Sequence, residues 1–123
     1  MRRPLLALTA LLALAIPAAA QARVVSAFGI NIVSCVINSN GNNQTNGINV
    51  VYFNTHDSPA TQVDFLVNYH GRKFILINKG TFSRGSQINA NLNNALTGQA
   101  WDGSKPKLCT VQRVYLQDGT VLQ

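Results

Sequence analysis

Residues 62–69 read Gln-Val-Asp-Phe-Leu-Val-Asn-Tyr, with Val63, Phe65, Val67 and Tyr69 at every second position. A period of two puts those four side chains on one face of a strand and turns Asp64 and Asn68 to water. An apolar sheet face must be covered, so the chain has to supply a second layer. The surrounding residues, 48–92, read as four successive strands of one sandwich. They span 48–54, 61–69, 73–78 and 86–93. Between the first two lies a turn at 55–59, where Pro59 has no N–H to give a ladder. His70-Gly71 predicts a tight hairpin, with Gly71 supplying the permissive dihedral. Residues 80–85 read as a connection.

The flanks supply the remaining strands. Residues 23–28 form a short apolar lead, either an edge strand or a loose start. Residues 30–37 are rich in β-branched side chains and carry Cys35. The run 38–47 is almost pure turn chemistry, and Asn43-Gln44-Thr45 within it is formally a glycosylation sequon. A long loop, 94–106, holds the only tryptophan. In the strand 107–116, Cys109 and Val111 share a face while Val114 and Leu116 are one residue out of phase. A β-bulge near Gln112-Arg113 would restore one buried face. Asp118-Gly119 predicts a two-residue hairpin into a last strand at 120–123. Short strands with turn signals between them define an all-β chain: a β-sandwich of seven or eight antiparallel strands in two sheets. An eight-stranded barrel is the alternative.

Residues 1–22 are of a different kind. Arg2 and Arg3 precede an apolar run to Ile16, followed by small residues. This is the pattern of a secretory signal peptide, with cleavage after Ala22 or after Ala20. The apolar run is short of the roughly 20 residues that span a bilayer. The expected mature chain is a single domain, 23–123, with no transmembrane segment, secreted or periplasmic. Removing Arg2 and Arg3 leaves eight basic residues against four aspartates, a net charge of +4. Cys35 and Cys109 both lie in that domain, and an even count in an exported chain favours a disulfide. It would close a 75-residue loop and, on the chain-entropy model, stabilise by about 4.5 kcal/mol.

Several of these residues form a wider pattern: Asn54-Thr55, Pro59-Ala60, the alternation 63–69 running into Gly71-Arg72, and Gly80-Thr81-Phe82-Ser83-x-Gly85. That pattern resembles small exported bacterial immunoglobulin-like domains of the FxLYD type. It also looks like a group of uncharacterised exported bacterial proteins with a late Cys-x-Val and a terminal Asp-Gly hairpin. The resemblance covers about Cys35 to Thr120 and implies an Ig-like fold with no particular activity. Antibody-type domains differ, since no tryptophan follows Cys35 at core spacing.

Candidate chemistry is sparse. His56-Asp57 and His70 sit in turns separated by the strand 61–69, about 30 Å long, too far apart to share a metal ion. No nucleophile elbow or phosphate-cradling loop is present, so the expectation is a protein without cofactor or catalytic residues. Arg72 and Lys73 leave their hairpin together and are expected to be solvated hairpin residues; the alternative is a basic patch for an anionic glycan, lipid headgroup or nucleic acid, and the partner expected of the chain is an anionic glycan or another protein. Nucleic acid is disfavoured, because the basic residues are scattered along the sequence without interleaved aromatics. Trp101, followed by Asp102-Gly103, is either a binding anchor or a cap folded back over the core, and capping is the expectation. The function expected is a non-enzymatic binding or cell-envelope module. The alternatives are a pilin-like subunit completed by a donated strand and a small exported enzyme or inhibitor acting through loop residues.

Overall fold

A computed structural model describes residues 22–39, 45–92 and 108–123. The eight strands are β1 (Val24–Val25), β2 (Ile30–Ser39), β3 (Thr45–Asn54), β4 (Ala60–Tyr69), β5 (Arg72–Phe82), β6 (Gln87–Leu92), β7 (Leu108–Leu116) and β8 (Val121–Leu122). They form two sheets, one ordered β2-β3-β6 and the other β1-β7-β4-β5, with β8 beside β7. The chain is therefore a β-sandwich, and the separate sheets exclude the barrel. Every pairing is antiparallel except that of β1 with β7, which is parallel.

The inner faces meet where the alternation requires. Val63, Phe65, Val67 and Tyr69 are all buried, facing Ile48, Val50 and Tyr52 of the other sheet and Leu76 and Val114 of their own. Tyr52 crosses the interlayer: its ring meets Phe65 edge-on at 5.0 Å, and Asn78 Nδ2 of β5 donates to its hydroxyl at 2.8 Å. The disulfide Cys35–Cys109 joins β2 to β7, and thus sheet to sheet, with Cα atoms 6.6 Å apart. The lead segment straddles this crosslink. Ala22 N–H donates to Cys35 O at 2.8 Å, and Arg23 O accepts from Cys109 N–H at 2.8 Å.

Bulges keep the apolar phase. In β7, Asp64 pairs with Arg113 and Phe65 with Val111, so Gln112 is the extra residue at the expected place. A second bulge falls at Val33, between the Ile32–Tyr52 and Ser34–Val51 pairs. It moves the buried set from Ile30 and Ile32 to Cys35 and Ile37.

Three local expectations need correction. Residues 80–82, expected in a connection, continue β5. There Gly80 serves as space, since a Cβ would collide with the Phe82 ring folded back over it. The last hairpin has a three-residue loop, not two, closed by Leu116 N–H to Thr120 O at 2.9 Å. Gly119, at φ 95°, takes the left-handed position that such a loop needs. Asp64, expected in water, is only 7% exposed.

Candidate functional site

At one end of the sandwich, polar groups gather around Asn54, which is wholly buried at the end of β3. Its Nδ2 donates to Ser58 O and Phe82 O, both at 3.1 Å, and its Oδ1 accepts from His56 N–H at 2.9 Å. One amide thus fastens the β3–β4 turn to the end of β5. His56 Nε2 lies 2.6 Å from Phe28 O, and Thr55 donates to Gly29 O through N–H and Oγ1. Gly29, at φ 74°, leaves room for the imidazole where a Cβ would strike it. Asp57 and Arg84 form an exposed ion pair beside this cluster, of the kind worth little in stability. Asp118 sits in the neighbouring hairpin, where Thr120 N–H donates to its carboxylate at 2.9 Å and lowers its pKa. These contacts hold turns in place. Among the described residues, no group of three histidine, cysteine or acidic side chains comes together.

The opposite end carries the expected basic residues. His70 and Gly71 adopt φ 53° and 73°, the signature of a type I′ turn, and the His70 ring stacks on Tyr69 at 3.9 Å. Arg72 lies over the Phe74 ring, 5.3 Å from its centroid. Lys73 is exposed and pairs across the strand with Asn68. Their side chains alternate along β5, so they make no joint pocket. His56 and His70 flank the two ends of β4, as the sequence indicated. Trp101, Asp102, the sequon asparagine and residues 1–21 lie outside the described residues.

The sequence reading missed the outer face of the β1-β7-β4-β5 sheet. Register places Val25, Thr110, Leu66 and Ile75 in one row across four strands. The next row is Arg113, Asp64 and Ile77, and beyond it lie Val121, Tyr115, Gln62 and Lys79. Val25, Ile75 and Ile77 remain 39%, 40% and 41% exposed. Asp64 is shielded in the middle, on a central strand with long neighbours on both sides. Gln62 Nε2 donates to its Oδ1 at 2.8 Å. Arg113 donates to Tyr115 Oη at 3.1 Å, which raises the guanidinium pKa, and Asp64 adds to the effect. The surface mixes exposed Val25, Ile75 and Ile77 with a tethered polar centre, and Lys73 and Lys79 flank the isoleucines on β5. The signal was present in Phe74-Ile75-Leu76-Ile77, which is apolar on both faces of a strand.

Comparison of the chain with protein-family models, with curated proteins and with solved structures gives no match in any of the three. The class that stands is a disulfide-linked β-sandwich. Among the described residues, no helix is long and apolar enough to cross a membrane.

Proposed function

We propose that this chain is a non-catalytic binding module, working outside the cytoplasm, that engages a protein partner through the outer face of its β1-β7-β4-β5 sheet. The observation that carries the reading is the row of Val25, Leu66 and Ile75, with Thr110 between the first two and Ile77 in the next row. A sandwich needs only its inner faces to be apolar, and a second apolar face on one sheet is a surface awaiting cover. The disulfide fits an oxidising compartment. The dispersal of histidines, aspartates and arginines between the two ends supports binding over catalysis. A strand donated at the outer edge of β7 is disfavoured, because the chain's own β1 and β8 already pair there.

The test is site-specific photo-crosslinking in the exporting cell. A photoreactive residue at Ile75 should give a discrete partner adduct, while one at Asn89, on the outer face of the other sheet, should give none. Adducts from Trp101 and none from Ile75 would overturn the reading and move the site to the 94–106 loop.

A further inference from the structure

We propose that the free edge of β5 is a strand-docking site, and that its occupant is an extended acidic segment of the partner protein, added antiparallel. The inference rests on the binding-module reading above and specifies the chemistry of the partner.

Among the described residues, β5 ends its sheet and pairs on one side only, with β4. It is the longest of the described strands, eleven residues, and its register with β4 runs unbroken from Arg72 to Lys79. Tyr69 and Arg72 close a two-residue turn, and such a closing pair exchanges both of its hydrogen bonds. Alternation from that pair aims the main-chain N–H and C=O of Lys73, Ile75, Ile77 and Lys79 away from β4. The same four residues carry their side chains on the outer face, all exposed. The result is about 20 Å of straight, unpaired edge, reading basic, apolar, apolar, basic.

That order argues against a second copy of this chain as the occupant. The symmetric antiparallel pairing that matches Ile75 with Ile77 sets Lys73 opposite Lys79, twice, and directly opposed like charges destabilise a sheet. Sliding by one pleat sets a lysine against an isoleucine. The lysines therefore protect the edge from self-association, and they become favourable when the incoming strand presents carboxylates. Asp64, the acid nearest on this face, is already held by Gln62. The complementary segment has seven residues, acidic at both ends and β-branched or aromatic at the third and fifth positions. Main-chain pairing would supply affinity, and alternate side chains selectivity.

The probe is a synthetic peptide, acetyl-Glu-Thr-Val-Thr-Val-Thr-Glu-amide, titrated at low ionic strength into the isotopically labelled, disulfide-intact domain. A second peptide has lysine in place of both glutamates. The acidic peptide should bind at least tenfold more tightly, with shifts centred on β5 and slowed amide exchange at Ile75 and Ile77. Ile77→Pro removes an N–H that points off the sheet, which an edge strand tolerates, and should weaken binding at least tenfold. Should that variant not fold, Lys73→Glu with Lys79→Glu, both at exposed positions, should reverse the preference toward the lysine peptide. Equal affinity for the two peptides, shifts centred on another strand, or no binding at millimolar peptide would overturn strand docking. If the Ile75 crosslink in cells persists in Ile77→Pro, the face reading stands and edge docking falls. If the native chain gives no crosslink at Ile75, both fall.

Discussion

The two sheets differ in how their outer faces are held. On the β2-β3-β6 sheet, where Val33 is exposed and Val51 and Phe53 are half-buried, amides pair across strands: Asn49 Nδ2 donates to Asn89 Oδ1 at 2.7 Å, and Asn38 Nδ2 to Asn91 Oδ1 at 3.0 Å. Those groups have water as an alternative partner and need no cover. On the other sheet the equivalent positions are Leu66, Ile75 and Ile77 around a shielded carboxylate. Both sheets have equally dry inner faces, so the fold alone does not require the difference. One outer face carries amide pairs, and the other carries Ile75 and Ile77 beside a shielded carboxylate.

The inner face sets the scale against which the outer faces are judged. Phe65→Ala should destabilise by about 3–5 kcal/mol in a denaturant titration, because Phe65 is wholly buried and packs on Tyr52 of the other sheet. Next comes Asn54→Ala. It leaves the Ser58 and Phe82 carbonyls and the His56 N–H without their amide partner, a loss of about 2–3 kcal/mol for groups held in a buried network. An effect below half a kcal/mol would mean that water replaces the amide and that the end of the sandwich is open.

Tyr52 links the layers and makes their union pH-dependent. Burial pushes its pKa up to about 12. The folded value is raised above the unfolded one, so the contribution is complete below pH 10 and is lost as pH rises toward 12. Two units correspond to about 2–3 kcal/mol. Tyr52→Phe should flatten stability over that window, and a late phenolate absorbance transition in the native protein should vanish with it.

How much of this was legible in sequence depended on whether the cause was local. The alternation 63–69 and the slip at Gln112 are carried by neighbouring residues, and both appear in the structure. The bulge at Val33 left the same kind of trace, Ile32 falling out of phase with Cys35, but the β-branched run hid it. Gly80 reads as the start of the connection 80–85 because a glycine at a strand end has two meanings, and only the Phe82 ring above it decides between them. Asp64 faces outward as its parity demands, but its burial comes from strands 13 and 49 residues away in sequence. The outer-face site is hidden for the same reason. Ile75 and Ile77 are visible in the sequence, whereas the place of β5 at a sheet edge follows from strand order, which local pattern does not encode.

Paired substitutions on the outer faces sharpen the comparison at smaller magnitude. Asp64→Ala should cost about 1–2 kcal/mol, since it strips Gln62 of its acceptor in a shielded position. Asn89→Ala, in the solvated amide ladder, should stay within about 0.5 kcal/mol. Equal values in thermal denaturation would show that the two faces are alike after all.

A further small effect concerns the segment that ties the sheets together beside the disulfide. Ala22 is only 4% exposed, and its N–H bonds to Cys35 O on one sheet, while Arg23 O accepts from Cys109 N–H on the other. Processing after Ala22 would remove the first of these bonds and a buried methyl group, and would place a charged amine on Arg23 at the seam. Processing after Ala20 keeps both contacts and leaves Gln21 as a spacer. A domain beginning at Gln21 should therefore exceed one beginning at Arg23 by about 0.5–1.5 kcal/mol, the net worth of one hydrogen bond. The two can be made with defined N-termini and compared by denaturation. If the chain is exported and processed, its intact mass should match a chain starting at Gln21, the glutamine free or cyclised. A mass matching Arg23, with no stability difference between the two forms, would show that the seam is closed by β1 and the disulfide without Ala22.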